Sequence, residues 1–163
     1  MVIGDPYKFA IIVDTVNQWN PSNNSFHNGV LFYCFNGTLF PKEVQTATLS
    51  SDIFDLLPRL RTICIDDELF TQNKDDAFRR LYEFYIEQTG NFDITPLTFS
   101  DFDHFVFAVK GNCGVRILAN TLCYDKEKST HDCSSLNTLE ATISQQEYEA
   151  LVNNLNCWYT SLK

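Results

Sequence analysis

The sequence lacks the hydrophobic signals that would direct a chain into or across a membrane. No apolar run approaches the roughly 18–20 residues needed to span a bilayer, and no basic stretch followed by an apolar run opens the chain. A length of 163 residues is that of one ordinary domain with a substantial core. We therefore expect one domain over residues 1–163, cytoplasmic and not bound to a membrane.

The common motifs of catalysis and nucleotide binding are absent as well. The sequence contains no P-loop, no G-x-G-x-x-G, no H-E-x-x-H and no G-x-S-x-G. Only three histidines are present, which limits both metal-binding and acid–base proposals. We predict that the protein is not an enzyme and that it uses neither a cofactor nor a metal.

The cysteines show no pattern of a disulfide scaffold or a metal site. Six are present, they are scattered, and no C-x-x-C pair occurs. In a reducing cytosol we expect them to remain thiols and to behave as small buried hydrophobic residues. They are Cys34, Cys64, Cys113, Cys123, Cys133 and Cys157.

Positive charge is scarce. Twelve Lys and Arg stand against 21 Asp and Glu, a net charge of −9. Such a surface repels nucleic-acid backbones and anionic lipids and attracts basic partners. Solubility alone also explains an acidic composition. Charge therefore favours a basic partner without identifying it.

Aromatic residues are abundant, at 14% of the chain, and they predict a large, rigid core. The clearest local signal is the Asn-Gly pair at positions 36 and 37, between the apolar runs 29–35 and 38–40. Asn-Gly accepts positive φ at both positions of a two-residue turn, so a β-hairpin is predicted here. Alternating apolar residues predict an earlier strand from Phe9 to Val13, followed by a polar loop from Asn17 to Ser25.

Two helices are predicted in the first half. After a strand at 44–49, Ser50 or Ser51 caps a short helix that ends at Pro58, because proline disfavours helical backbone at the residue before it. The segment 62–70 fits no single pattern. A longer helix begins at Asn73 and ends near Gly90, with acidic residues in its first turn. Its apolar stripe is Phe78, Leu81, Tyr82 and Tyr85.

The second half repeats this plan. Strands are predicted at 105–109, 115–124 and 136–143, with a turn at 110–114 and a polar segment at 125–135. Ser144 and Glu147 then form a capping box for a C-terminal helix. The segments 47–57 and 141–151 resemble each other in strand end, serine and helix. The predicted fold class is α+β, with two units of antiparallel strands followed by a helix, an order that resembles the whirly fold.

Two short clusters could carry chemistry. Asp101, Asp103 and His104 place two carboxylates and an imidazole together, and on an extended chain the two aspartates share a face that could hold a hard cation. A charged turn before a hydrophobic strand is the favoured explanation, because the sequence places no third ligand group beside them. The run 131–133 (His-Asp-Cys) reads as a polar loop, since nucleophile and base normally meet through the fold.

Partner-binding candidates are acidic or aromatic. The densest acidic run is Asp66, Asp67 and Glu68, which lies outside the predicted helix starts and could compete for a basic groove in a partner. Asp101 and Asp103 are further acidic candidates. A tight interface also needs a central aromatic anchor, for which Trp19 is the exposed candidate.

Three N-terminal motifs together resemble the immunity protein 42 family. They are Ile3-Gly4-Asp5-Pro6-x-Lys8-Phe9-Ala10, Asn28-Gly29-Val30-Leu31-Phe32 and Asn36-Gly37-x-Leu39-Phe40-Pro41-Lys42-Glu43. In about the first third of the chain the likeness is carried by these motifs. In the remainder it is carried by the length of the chain and the order of its predicted strands and helices. These motifs are structural in type, so the resemblance transfers no binding residues to this chain.

The resemblance implies a cytoplasmic protein that binds and neutralises the toxic C-terminal domain of a contact-dependent inhibition or other polymorphic toxin, without enzymatic activity or cofactor. The acidity favours a basic toxin, such as a nuclease, bound one to one. Two alternatives remain open: a whirly-like module that binds single-stranded nucleic acid, which needs a basic groove, and a small metal-dependent hydrolase using Asp101, Asp103 and His104.

Overall fold

The computed structural model describes residues 1–21 and 26–162 of the chain. Within them the strands are β1 Val2–Asp5, β2 Phe9–Thr15, β3 Asn28–Phe35, β4 Thr38–Phe40, β5 Ala47–Thr48, β6 His104–Gly111, β7 Gly114–Thr121, β8 Cys123–Asp125, β9 Thr130–Asp132 and β10 Leu139–Ile143. The α-helices are α1 Leu49–Arg61, α2 Asp67–Thr71, α3 Lys74–Glu87, α4 Leu97–Ser100 and α5 Gln145–Ser161. None of these helices is both long enough and apolar enough to cross a membrane.

The strands form antiparallel sheets, which confirms the predicted α+β class. The first sheet has the order β1-β2-β3-β4, with β5 also paired to β3, and the second has the order β10-β7-β6. The strands β8 and β9 form a separate hairpin. The two strand–helix units are present: β5 leads directly into α1, and β10 leads through Ser144 into α5.

The turn between β3 and β4 has the predicted geometry and holds a second turn in place. Asn36 and Gly37 have φ of 49° and 82°, and Phe35 pairs with Thr38. The Gly37 amide donates to the Pro6 carbonyl at 2.7 Å, and the Asn36 amide donates to the Lys8 carbonyl at 3.0 Å. The Gly-Asp-Pro turn and the Asn-Gly hairpin therefore stabilise each other.

The core lies in two layers, on the two faces of the second sheet. One layer packs α1 and α5 between the sheets and includes residues such as Tyr33, Leu56 and Ile117. The other covers the opposite face of the second sheet with α3 and includes Phe78 and Phe107. Both faces of this sheet are thus buried, as its nearly continuous apolar strands require.

The first helix differs from the prediction at both ends. Its first residue is Leu49, so neither Ser50 nor Ser51 is the cap. The Leu49 amide donates to the His27 carbonyl at 2.8 Å. The preceding strand β5 is therefore only two residues long. The helix also continues through Pro58 to Arg61. An internal proline costs about 3 kcal/mol, but ending the helix there would remove Leu60 from the core, where it is 1% exposed.

The segment that fitted no pattern contains the short helix α2. Its five residues could not form a stable helix alone. Arg116 of β7 holds its end, because Nη1 donates to the carbonyls of Leu69, Phe70 and Gln72 at 2.8, 3.1 and 2.8 Å. The helix α2 is therefore stabilised by a residue more than forty positions away in the sequence, and the local sequence pattern does not predict it.

Other local predictions agree closely. Asn73 caps α3, which ends at Glu87 with Gln88 in the left-handed region. Ser144 and Glu147 form the capping box at the start of α5. The predicted strand at 115–124 is divided between β7 and β8, and the polar segment 125–135 contains β9. The predicted loop 17–25 begins with a short 3-10 turn, and its residues 22–25 lie outside the described residues.

The prediction that the cysteines are buried is wrong for most of them. Only Cys34 is buried, two others are half-buried, and Cys113, Cys123 and Cys157 are exposed. Cys113 lies in the turn between β6 and β7, Cys123 is the first residue of β8, and Cys157 lies on α5. All six are free thiols, as expected.

Candidate partner-binding surface

The acidic run at 66–68 lies at a helix start, contrary to the prediction. The Asp66 carboxylate caps α2 by accepting from the Leu69 amide at 2.9 Å. Asp67 accepts from the backbone and side chain of Asn112 at 3.0 and 2.8 Å. Glu68 accepts from Arg80 at 2.7 Å. Each carboxylate thus has a partner within the chain, and a role in binding another protein stays a prediction.

Residues 101–103 form a turn that leads into β6 at His104, which is the interpretation favoured from the sequence, and the extended conformation in which the two aspartates would share a face is not adopted. Asp103 has φ of 59°, in the left-handed region. Its carboxylate accepts from Nε2 of His131 at 2.7 Å, while Nδ1 of that ring lies 2.6 Å from the Tyr82 hydroxyl. Burial raises the pKa of Tyr82 to about 12, so it remains a donor. These contacts attach β9 to α3.

Metal binding by this segment has no geometric support. Across the described part of the chain, no group of three or more His, Cys, Asp or Glu side chains is placed to hold a metal ion. His104 instead contacts Thr121 through Nδ1 at 2.8 Å and Gln45 through Nε2 at 3.0 Å. Its ring packs against Phe40 and Phe99. The turn belongs to the packing between the two sheets.

The predicted binding residues are not brought together. Asp101 and Asp103 precede the start of β6, whereas Asp66–Glu68 lie beside its end, roughly 23 Å away at 3.3 Å per residue. Trp19 is 37% exposed and lies by the start of β3, where Asn28 donates to its carbonyl at 3.1 Å. No single surface contains all six residues, so their roles remain separate predictions.

A different surface combines charge, aromatic side chains and concavity. It is a cleft between the C-terminal halves of α1 and α3 and the segment 88–97, which we call the α1–α3 cleft. One part has a volume of about 450 Å³, and an adjoining part beside α4 has about 280 Å³. Arg59, Tyr85 and Asp93 line both parts.

Arg59 organises the acidic groups of the cleft. Its Nη1 donates to the Asp93 carboxylate at 2.7 Å, and its Nη2 donates to the Asp55 carboxylate and to the Thr95 carbonyl at 2.8 Å. Burial raises the pKa of Asp93, although Arg59 and Thr95 oppose the shift. One cation thus fixes two carboxylates, and the cluster keeps a net negative charge.

Tyr85 is the aromatic side chain of the cleft. Its ring packs against Phe105 and Phe107, with centroids 5.4 and 6.2 Å apart, and stacks on Tyr82 at 6.0 Å. The residue is nevertheless 37% exposed. Its hydroxyl has no hydrogen-bond partner among residues 1–21 and 26–162, and burial raises its pKa, which keeps it protonated. Tyr85 is thus a rigid ring with a neutral hydroxyl that can both donate and accept a hydrogen bond.

Exposed aliphatic residues border the ring on both sides. Ile86 of α3 is 58% exposed and Leu97 of α4 is 47% exposed. The buried Asp52 carboxylate fixes α4, because it accepts from the Thr98 amide at 2.8 Å and from the Thr98 hydroxyl at 2.7 Å. The position of Leu97 relative to α1 is therefore set by a buried polar contact.

The end of α3 adds further negative potential. Helix C-termini carry a partial negative charge and usually have basic residues in the last turn, as α1 does with Arg59 and Arg61. The last turn of α3 contains no basic residue and includes Glu87. The negative charge of Glu87 does not stabilise the C-terminus of α3, and it attracts a cation that approaches the cleft.

Sequence reasoning missed this cleft. Asp55 and Arg59 are an i,i+4 pair on α1, a spacing that normally indicates only a helix-surface ion pair. Asp93 lies in a loop with no motif, and the helical periodicity predicts that Tyr85 is part of the core stripe. Only the packing of α1, α3 and the 88–97 segment against one another brings these residues together.

Comparison with known proteins gives one family and one similar fold. Residues 1–158 match the family Immunity protein 42. The crystal structure of CdiI from Burkholderia dolosa AUO158 is similar in fold, with a TM-score of 0.72 and 21% identity, and the match covers 97% of this chain and 99% of that chain. No curated protein sequence matches the chain. The resemblance carried by the N-terminal motifs is thereby confirmed, and the chain belongs to the immunity protein 42 family.

Proposed function

We propose that this chain is a cytoplasmic immunity protein, which binds the toxic C-terminal domain of a cognate toxin and neutralises it without catalysing a reaction. The observation that carries the proposal is the family match over residues 1–158. The fold likeness to a CdiI protein is consistent with a toxin of a contact-dependent inhibition system.

We further propose that the toxin is basic, most simply a nuclease, and that it forms a one-to-one complex. A net charge of −9 supports this, because an acidic inhibitor complements the positive groove with which a nuclease holds nucleic acid. The acidic α1–α3 cleft provides one concave surface of the required sign.

The two alternative functions find less support. A module for single-stranded nucleic acid needs a basic groove with stacking aromatic residues, whereas the charged groups around Tyr85 are mainly carboxylates. A metal-dependent hydrolase needs convergent ligands, and the described residues provide no such group.

The proposal predicts that the cognate toxin is encoded immediately upstream of this chain, and co-expression of the two proteins tests it. Cells that express the toxin domain should survive when this chain is present, and the two proteins should co-purify as a stable one-to-one complex. A catalytically inactive toxin domain should co-purify equally well, because binding does not need toxin activity. Cells that remain fully sensitive, with no complex recovered, would contradict the proposal.

A further inference from the structure

We propose that the α1–α3 cleft is the surface that contacts the toxin, and that Tyr85 together with the Asp55–Arg59–Asp93 cluster receives a basic side chain of it. This inference rests on the proposed function and adds to it the location of the interface and the chemistry of the contact.

Side-chain chemistry at the cleft is that of a binding hot spot. Hot spots combine a rigid aromatic residue with surrounding apolar contacts that exclude water. Tyr85 is held by three aromatic neighbours, and Ile86 and Leu97 border it while more than 45% exposed. Little side-chain entropy remains for Tyr85 to lose on binding, so a smaller part of its contact energy is offset by ordering.

Charge at the cleft selects a cation. Asp55 and Asp93 lie on either side of Arg59, and the acidic end of α3 is close by. Arg59 balances one of the two carboxylates, so the cluster carries one net negative charge, and the side chains of Asp55 and Asp93 remain 41% and 26% exposed. A guanidinium or ammonium group that approaches their exposed oxygens would also meet the exposed part of the Tyr85 ring, and both contacts favour a cation. The basic partner inferred from overall composition therefore has a specific site here.

Arg59 has a positioning role. Five hydrogen bonds connect it to Asp55, Asp93 and the Thr95 carbonyl. These bonds hold the two carboxylates in one geometry before any partner arrives. A preorganised pair loses less entropy when it binds a cation than two freely rotating carboxylates would.

Other exposed apolar residues lack this combination. Val44 and Ile65 are 69% and 75% exposed, but neither belongs to the lining of the α1–α3 cleft. They provide a matched control, because replacing them with lysine changes charge and exposed apolar area in the same way without altering a residue that lines the cleft.

The test measures the dissociation constant of the full chain for the catalytically inactive toxin domain encoded beside it. The double variant Ile86→Lys/Leu97→Lys should raise Kd at least about 100-fold, because two cations then repel the basic partner and the apolar contacts are lost. The control Val44→Lys/Ile65→Lys should stay within about 3-fold of wild type. Thermal unfolding of both variants checks that they fold.

A conservative variant keeps the test independent of folding. Tyr85→Phe preserves the ring and its packing and removes only the hydroxyl, whose oxygen can accept a hydrogen bond from the entering guanidinium or ammonium group. Kd should therefore rise about 10-fold, with unchanged thermal unfolding. Wild-type affinity in both Tyr85→Phe and Ile86→Lys/Leu97→Lys, with a normal wild-type complex, would overturn the cleft assignment and leave the proposed function intact. Absence of any complex with the wild-type chain would instead overturn the proposed function, and the cleft assignment with it.

Discussion

Replacement of Arg116 by methionine tests whether a single buried cation holds α2 in place. The side chain of Arg116 is 6% exposed; its Nε donates to Glu140 at 2.7 Å, and its Nη1 donates to three carbonyls at the end of α2. Methionine keeps the aliphatic stem but leaves these carbonyls without their donor. Removing one partner of a buried, charged cluster costs about 3–5 kcal/mol. Because Glu140 is partly hydrated, we expect a loss of about 3 kcal/mol, or roughly 6–12 °C in Tm for a domain of this size.

Urea and thermal unfolding, followed by circular dichroism, measure this loss. The matched control is Arg80→Met on α3. It removes an exposed ion pair with Glu68, which lies on α2, and should cost less than about 1 kcal/mol. Hydrogen exchange should also show faster opening of residues 67–71 in Arg116→Met than in wild type. Equal stability of the two variants would refute the reasoning, because it would mean that the carbonyls of α2 do not depend on Arg116.

Three further predictions concern stability. Gly29→Ala should cost about 3 kcal/mol of stability, because its Cβ would lie 2.0 Å from the Asp14 carbonyl oxygen. In Gly37→Ala the new Cβ meets no neighbour within 4 Å, so this variant should cost only the roughly 1–2 kcal/mol of its positive φ. Urea unfolding that gives the two variants equal stability would contradict this. Tyr148→Phe should cost about 1–3 kcal/mol in the same assay, since it leaves a buried carbonyl of α1 without its donor at 2.8 Å, and a neutral result would be inconsistent with that bond. Burial raises the pKa of Asp52 above 3.8, so its ionised form is disfavoured in the folded state and its contribution to stability falls as pH rises from 3.8 through the folded pKa. The stability of wild type relative to Asp52→Asn should therefore decrease over that range in urea titrations, and an increase would reverse the sign of the argument.

Structure determined by near neighbours was predicted well. The Asn36-Gly37 turn, the Asn73 cap and the capping box of Ser144 and Glu147 each depend on residues within four positions of one another. The chemistry of these side chains restricts the backbone regardless of the remainder of the fold. For the same reason, the repeated order of strand and helix could be predicted from local pattern alone.

Structure determined by distant contacts could not be predicted. The helix α1 continues through Pro58 because the core on its far side favours burial of Leu60, and α2 exists because Arg116 reaches its end. The α1–α3 cleft requires Asp93 to meet Arg59 across 34 positions. The contacts of the acidic run at 66–68 are likewise distant in part, since Asp67 accepts from Asn112 and Glu68 accepts from Arg80, and its role in binding a partner stays a prediction.

Titration of the chain into the toxin domain, with cleavage of nucleic acid as the readout, tests the central claim most directly. If the chain is an immunity protein for a nuclease, activity should fall in proportion to the amount added and reach zero at one equivalent. Raising the salt concentration should slow the association, because an acidic surface attracts a basic toxin. Full toxin activity in the presence of a large excess of folded chain would contradict the account.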